Sequence, residues 1–145
     1  MTTKPGAQRV MSGTHAMVYW NNEPVYELQS ASAKLTPTRE DVDFAGDMWT
    51  DSKIVGLKGE FNFKIKKVFS RAKALAEAFD KGQDPRSEII MKLDDPDAFG
   101  AERVALHNCW FNDLALMQTE NKKVCEEEFA GGFTGFDYID NVEVQ

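Results

Sequence analysis

The sequence predicts a mainly β fold, a sandwich or half-barrel of two antiparallel sheets flanked by one α-helix. Apolar and polar residues alternate in several segments, Gly, Pro, Asn and Asp cluster between them, and only one segment has helical periodicity. The chain has 145 residues, a usual size for one globular domain. We therefore predict a single domain over residues 1–145, with a flexible tail at residues 1–10.

A hairpin is predicted directly after this tail. Residues 15–20 alternate in polarity, and residues 21–24, Asn-Asn-Glu-Pro, are typical of a tight turn. The second strand covers residues 25–36. Its apolar residues change from even to odd positions, which predicts a β-bulge near residues 29–30.

The segment that follows, residues 39–55, has no regular pattern, although part of it is compatible with strand. It contains Gly46 and several aspartates, which favour an extended loop, and long loops in compact domains are usually functional. Phe44, Met48 and Trp49 are unusual in a solvated loop, whereas large aromatic residues supply much of the binding energy of interfaces. The sequence therefore predicts an assembly loop that contacts another subunit, and the alternative is a loop folded back onto its own core.

Residues 54–66 form the clearest predicted strand, with one dry and one wet face. The dry face carries Leu57, Gly59, Phe61, Phe63 and Ile65. The wet face carries Lys58, Glu60, Asn62, Lys64 and Lys66.

The one predicted helix begins at Ser70, whose side chain is a suitable N-cap. Gly82 ends the helix, and Pro85 prevents it from resuming. Its apolar stripe, at helical spacing, consists of Ala72, Leu75, Ala76 and Phe79.

Three further strands are predicted. Residues 87–93 precede a turn at residues 94–97, Asp-Asp-Pro-Asp. Residues 103–118 alternate as one long strand or as two strands joined at residues 112–113. The last strand covers residues 124–136 and is loosened by three glycines.

The composition limits the classes of function. The formal net charge is −7 and the sequence pI is about 4.8, which argues against wrapping of nucleic acid by clustered Lys and Arg. Residues 1–9 contain no apolar run typical of a signal peptide, and no segment approaches the ~20 apolar residues of a membrane-spanning helix. We expect a cytoplasmic protein whose Cys109 and Cys125 are free thiols.

The sequence predicts no catalytic, cofactor-binding or metal-binding site. His107 and Cys109 are the only candidates for nucleophilic chemistry, and they have no evident third partner. The acidic residues 94–97 lack the spacing of a calcium loop and fit a turn. In residues 126–128, Glu-Glu-Glu, the outer two glutamates share one strand face and suit a solvated row. The glycines of residues 131–135 do not form a phosphate loop. We therefore do not predict an enzyme.

Several motifs occur in an order that is characteristic of one known family. They are Ser12-Gly13-Thr14, Gly46, Gly-Leu-Lys-Gly-Glu-Phe at residues 56–61, Lys-Gly-Gln-Asp-Pro at residues 81–85, Leu93-Asp94-Asp95, Gly-Ala-Glu-Arg-Val-Ala-Leu at residues 100–106, Glu-Glu-Glu-Phe at residues 126–129, and Gly132-Phe133. Along nearly its whole length the chain resembles the PBSX-type (XkdM-like) phage tail tube proteins. The same family includes the tubes of R-type bacteriocins of the diffocin kind.

The resemblance implies a fold related to Hcp, the tube component of type VI secretion. It also implies hexameric rings that stack into the inner tube of a contractile phage tail or bacteriocin particle, a conduit or puncturing rod for crossing the target envelope. The implied partners are further copies of the chain, a tail sheath protein, and baseplate and terminator proteins. DNA would pass through the lumen of a phage tail without specific binding. Assembly is expected in the host bacterial cytoplasm, and the product is a virion tail or a released particle.

Three groups of site residues follow from combining the resemblance with the pattern. The inter-ring interface is assigned to Phe44, Met48 and Trp49. The lumen-facing residues are Lys58, Glu60, Asn62 and Lys64, and the sheath-facing residues are Arg71, Lys73, Glu77 and Asp80. A ring of six copies would carry −42 formal charges, six times the −7 of one chain, which would discourage adsorption of DNA. The alternatives are a small β-barrel that carries an apolar ligand and a tube component like that of type VI secretion.

Overall fold

The structure, a computed structural model, describes residue 4 and residues 6–143. These described residues form eight strands, one α-helix and two short 3-10 helices. In chain order these are the 3-10 helices Ala7–Arg9 and Gly13–His15, then β1 (Ala16–Trp20), β2 (Glu23–Val25), β3 (Leu28–Asp43), β4 (Thr50–Lys66), α1 (Lys73–Asp80), β5 (Ser87–Leu93), β6 (Glu102–Leu114), β7 (Glu126–Phe133) and β8 (Gly135–Asp140). The predicted class, mainly β with antiparallel strands and one helix, is confirmed.

The strands form one antiparallel sheet in the order β2-β1-β5-β6-β7-β4-β3, with β8 also paired to β6. β7 and β8 pair with the same edge of β6 and are separated only at Thr134. The pairs run from Leu114↔Phe129 in β7 to Arg103↔Asp140 in β8. The sheet folds over along β6. We call β1, β2, β5, β8 and the first part of β6 the first sheet, and β3, β4, β7 and the end of β6, residues 110–114, the second sheet.

The core lies between these two sheets and is largely aromatic. The ring of Trp20 in the first sheet contacts Phe63, Phe111 and Phe129, with centroid distances of 5.8, 5.1 and 5.2 Å. The contacts with Phe63 and Phe129 are edge-to-face and that with Phe111 is tilted. Such contacts add to the burial of each ring, which stabilises the fold by about 1.5–3 kcal/mol. The alternation of residues 61–65, correctly predicted as the dry face of β4, places three side chains in the core, those of Phe61, Phe63 and Ile65.

The N-terminal hairpin differs from the prediction. β1 pairs with the three-residue β2, whereas β3 crosses to the second sheet and pairs with β4. The break lies at Tyr26 and Glu27. The amide of Lys66 donates to the Glu27 carbonyl at 2.9 Å, which fixes the crossing point. The predicted bulge is confirmed, because the register of β3 shifts between Leu28 and Ser30.

The prediction of an extended loop over residues 39–55 is wrong, and the alternative that part of this segment is strand is confirmed. Pairs from Arg39↔Ile54 to Asp43↔Thr50 continue the β3–β4 ladder, and only residues 44–49 form the connection. The irregular sequence pattern has a physical cause. Both faces of this part of the hairpin contact solvent, so no apolar–polar alternation is required.

The helix α1 is shorter than predicted. It begins at Lys73 rather than next to Ser70, and its N-cap residue, Ala72, makes no side-chain capping bond. Gly82 adopts a φ of +76°, a left-handed conformation that glycine adopts without strain, and ends the helix as predicted. Leu75 is buried in the core, and the helix covers one end of the space between the sheets.

The C-terminal strands also differ in part. Residues 103–118 were predicted as strand, but β6 ends at Leu114 and contains a register shift between Phe111 and Asp113. The predicted last strand continues beyond Thr134 as the separate strand β8.

The predicted flexible tail, residues 1–10, is described only in part, because residues 1–3 and 5 lie outside the described residues. Within it, the guanidinium of Arg9 donates to the Asp97 carbonyl at 3.0 Å and lies over the Phe99 ring. Among the described residues, no helix is long and apolar enough to cross a membrane.

Candidate assembly surfaces

The far half of the β3–β4 hairpin projects from the body of the domain. β4 pairs with β7 only from Gly59 to Lys66, so beyond Gly59 the two strands of the hairpin pair only with each other. We call residues 36–58 the arm. At ~3.3 Å per residue its ladder is roughly 25 Å long. An isolated two-stranded hairpin is at best marginally stable in water, so the arm is a candidate for contact with a partner.

The tip of the arm carries three large exposed side chains. Phe44, Met48 and Trp49 are 62%, 101% and 83% exposed. The tip is nevertheless ordered locally, since the Trp49 amide donates to Asp47 Oδ1 at 3.0 Å and Gly46 has a φ of +83°. The alternative that this segment folds back onto its own core is therefore wrong.

Further apolar residues lie along the arm. Leu57, predicted to face the core, is 66% exposed, and Ile54 and Val55 are also exposed. The reason for the wrong prediction is the end of the β4–β7 ladder at Gly59. Beyond that residue, the face of β4 that is dry in the body has no opposing sheet.

The outer face of the second sheet is polar. Lys58, Glu60 and Asn62 are exposed, Lys64 is half-buried, and all four point away from the core, as the alternation predicts. Cross-strand contacts order this face: Ser32 Oγ lies 2.8 Å from Asn62 Oδ1, and Lys64 Nζ lies 3.9 Å from Glu126 Oε2. The face is therefore hydrated and mixed in charge.

The second sheet has a free edge on each side. β3 is the terminal strand of the sheet and is exposed from Gln29 to Asp41. At the other side of the sheet, residues 110–114 of β6 pair with β7 along one edge. Their opposite edge is free, because β5 starts at Ser87, which pairs with Cys109. Edges of this length are normally covered by a partner strand or protected against pairing.

Of the four predicted sheath-facing residues, three are exposed on α1 or at its ends, namely Lys73, Glu77 and Asp80. Arg71 is a correction. Its guanidinium forms an ion pair with Glu27, and only 11% of its side chain is exposed. Arg71 therefore fastens the start of the helix to the crossing point between the sheets.

Residues His107 and Cys109 are not arranged for nucleophilic catalysis. Burial raises the pKa of the Cys109 thiol to about 12, and the thiol lies in the core, where it donates to the Leu106 carbonyl. Asn108 has a φ of +55°, and His107 projects to the opposite, outer side. A thiolate nucleophile is not available here at neutral pH.

The acidic and glycine-rich segments have structural roles. Asp95 is buried and accepts from the amides of Ser12 and Asp97, both at 2.9 Å, which lowers the pKa of its carboxyl group and confirms the predicted turn. Glu127 points into the domain and bonds to Lys67, as the alternation of residues 126–128 predicts. Among the described residues, no group of three or more His, Cys, Asp or Glu side chains could hold a metal ion.

The sequence analysis missed one apolar surface. Val68, Phe69, Leu116, Met117 and Val124 are exposed. The sequence predicts a strand through Leu116 and Met117, because the apolar residues there continue the alternation of β6. The feature of the sequence that could have indicated this surface is the presence of two consecutive large apolar residues after the last core position of β6.

Comparison with known families decides between the predicted functions of the chain. The model of the phage tail tube protein family matches residues 3–140. The chain belongs to the phage tail tube protein family. Family membership assigns the function of a tail tube subunit, so the predicted resemblance is confirmed.

A relative of this tail tube protein is the phage-like element PBSX protein XkdM of Bacillus subtilis (strain 168). The two are 26% identical over 134 residues, which cover 90% of this chain and 91% of the relative.

Solved structures show the same fold. The sheath–tube complex of an extracellular contractile injection system matches with a TM-score of 0.69 at 9% identity, over 91% of this chain and 93% of the other. Hcp1 from Flavobacterium johnsoniae matches with a TM-score of 0.54 at 12% identity, over 86% of this chain and 94% of Hcp1. The predicted Hcp-like fold is confirmed.

Proposed function

We propose that six copies of this chain close into a ring, and that stacked rings form the inner tube of a contractile phage tail or of a headless bacteriocin particle. The observation that carries the proposal is the second sheet, which has a polar outer face and a free edge at each side. Family membership and the likeness to tube proteins support it. The tube is a conduit or puncturing rod for crossing a cell envelope.

Ring closure requires two different edges, one from each neighbour. β3 of one copy would pair with the free edge of residues 110–114 of β6 in the next copy. Each copy contributes four strands to this barrel, namely β3, β4, β7 and the end of β6. Full closure satisfies the backbone groups of both edges and leaves no strand available for aggregation.

The polar face of the second sheet would line the lumen, with Lys58, Glu60, Asn62 and Lys64 pointing into it. Its mixed charges support passage of DNA without specific binding, since lysines and carboxylates are interspersed on this face. Lys58 lies 3.2 Å from Glu60, and Lys64 is close to Glu126. In a water-filled channel these side chains remain hydrated.

The arm would provide the contact between rings. Its tip exposes Phe44, Met48 and Trp49, which are suited to act as anchors in an interface. Burying three such side chains is worth roughly 1.5–3 kcal/mol each. The arm is also long enough, at roughly 25 Å, to reach beyond its own ring.

The outside of the tube would carry α1. Lys73, Glu77 and Asp80 are exposed there and are proposed to face a tail sheath protein. Baseplate and terminator proteins would occupy the ends of the tube. The protein would act without catalysis, assemble in the host bacterial cytoplasm, and leave as part of a virion tail or released particle.

Electron microscopy and cysteine cross-linking test the ring. Asn112→Cys is combined in turn with Ser30→Cys, Ser32→Cys or Lys34→Cys, on a Cys125→Ser background in which the buried Cys109 does not react. We expect rings or rods in micrographs, and for one pair an oxidised ladder ending at six chains. Each single-cysteine variant is the control and forms no ladder. A protein that remains monomeric in every salt and at every concentration overturns the proposal.

A further inference from the structure

The exposed apolar surface missed by the sequence analysis lies at the end of the second sheet opposite the arm. Lys66, the last residue of β4, pairs with Glu126, the first residue of β7. The amide of Lys67 donates to the Cys125 carbonyl at 2.8 Å. The chain after β4 and the chain before β7 therefore both leave the sheet at the end opposite the arm.

We call this surface the distal face and define it by its exposed apolar side chains, Val68, Phe69, Leu116, Met117 and Val124. Leu116 and Met117 are each 77% exposed. Beside them a groove of about 270 Å³ runs between α1 and the chain after β6. Apolar side chains that line it include Ala72, Ala76, Leu114 and Leu116. The groove is large enough to receive an aromatic side chain.

The arm carries an excess of carboxylates, and near the distal face are lysines that no carboxylate of the described residues pairs with. Residues 39–53 contain five carboxylates against two cations, and none of these seven side chains has an ion-pair partner within 4.0 Å among the described residues. Around the distal face, carboxylates within the chain pair with Lys64, Lys67 and Lys123. Lys66 and Lys122 have no carboxylate within 4.0 Å in the described part of the chain.

We propose that the distal face receives the arm tip of a second copy, located in the adjacent ring. The inference rests on the proposed stacking and adds the receiving surface. The two surfaces lie at opposite ends of the same sheet, so one copy can donate its arm at one end and receive an arm at the other. Such a head-to-tail contact does not close on itself and repeats from ring to ring.

Each side of this contact supplies what the other lacks. The tip offers Phe44, Met48 and Trp49, whereas the distal face offers exposed apolar side chains and a groove whose lining is partly apolar and partly charged. The acidic arm would be steered by the lysines of the distal face and aligned before the apolar side chains are buried. This arrangement gives the tube a direction, with arms at one end and empty distal faces at the other.

The experiment uses two variants that damage opposite halves of the contact. Trp49→Ala removes the arm anchor, and Leu116→Ser combined with Met117→Ser removes the apolar part of the distal face. All three side chains are mostly exposed, so both proteins are expected to fold and to form single rings. We expect the sedimentable tube fraction of each variant alone to fall at least tenfold.

Mixing the two variants is the decisive measurement. Rings with intact arms and rings with intact distal faces should combine into pairs that cannot extend, visible as double rings in micrographs. Single rings in the mixture, or long tubes from the distal variant alone, overturn the inference.

A charge variant gives an independent test. Lys122→Glu should lower the tube fraction at low salt, whereas Lys81→Glu, at the far end of α1, is the control and should not. Normal tubes from Lys122→Glu at low salt would contradict the assignment of the distal face. Failure of the wild-type chain to form rods contradicts the proposed function instead, so the two failures are distinguishable.

Discussion

The Nε2 atom of His107 on β6 lies 2.7 Å from Oδ2 of Asp137 on β8. The other ring nitrogen, Nδ1, lies 2.6 Å from Oε2 of Glu88 on β5. A neutral imidazole has one N–H donor and cannot donate to both carboxylates, whereas the imidazolium can. The geometry therefore indicates a protonated His107 that links three strands of the first sheet.

The first prediction is that His107 titrates above its ordinary value. Hydrogen bonds to Asp137 and Glu88 raise the pKa of His107 above 6.5. A raised pKa in the folded state means that the stabilisation is complete below the unfolded pKa and is lost as pH rises through the folded pKa. Because the ring is partly exposed, we expect only about 0.2–1 kcal/mol. NMR titration of the imidazole protons measures the pKa.

His107→Gln is the control for this prediction. Its free energy of unfolding should fall below that of the wild type at pH 6, and the difference should shrink above the folded pKa. Asp137→Asn should move the His107 pKa downward. An imidazole pKa at or below 6.5 in the wild type would contradict the protonated link.

The parts of the fold that the sequence predicted are those with one dry and one wet face. Phe61, Phe63 and Ile65 alternate with polar residues because a core lies on one side only. Residues 39–55 of the arm are predicted as a loop because solvent lies on both sides of them. The pairing Arg39↔Ile54 also follows a bulge that breaks the alternation. A strand pair whose two faces both contact solvent shows no apolar–polar periodicity in its sequence.

Long-range pairs account for the errors in the candidate site. Arg71 was predicted to face outward, yet it contacts Glu27, which is 44 residues away in the chain. Nothing in the local sequence indicates that partner. The exposed tip residues, in contrast, were found because Phe44, Met48 and Trp49 are unusual among aspartates and glycine.

The second prediction concerns the close approach of β7 to β6. A Cβ at Gly131 would lie 1.7 Å from the Trp110 carbonyl oxygen, and backbone atoms cannot move aside cheaply. Gly131→Ala should therefore lower the free energy of unfolding by about 3 kcal/mol or more, as overpacking does. Gly56→Ala is the control, since its Cβ would meet Thr38 at an ordinary 3.8 Å. Urea denaturation followed by fluorescence compares them, and equal stabilities would contradict the β6–β7 packing.

The third prediction separates folding from assembly in the arm. Trp49 is 83% exposed, so Trp49→Ala should change the melting temperature of the unassembled protein by no more than a degree or two. The same change should abolish stacking, because the side chain is proposed to bury only in the contact. The control is Ile139→Ala, which changes an exposed apolar residue of β8. Tyr19→Ala would not serve as a control, because Tyr19 is half-buried. Normal tube formation by Trp49→Ala would remove the arm tip from the contact.

The fourth prediction concerns the helix. Asp80→Lys reverses an exposed charge at the end of α1, outside the groove that Glu77 lines, and should weaken binding of the cognate sheath protein at least several-fold without affecting tubes. Co-sedimentation of sheath with preformed tubes measures this, and unchanged binding would show that α1 does not face the sheath.

Arg71→Ala gives a different result, because Arg71 is not on the outside. Removing it leaves Glu27 mostly buried without its partner, since only 12% of the Glu27 side chain is exposed. Loss of one member of a buried pair costs about 3 kcal/mol. We therefore expect Arg71→Ala to lower the free energy of unfolding, while any tubes that form still bind sheath normally. If Arg71→Ala weakened sheath binding without lowering stability, Arg71 would lie on the outer surface. The prediction that all four residues face the sheath would then hold.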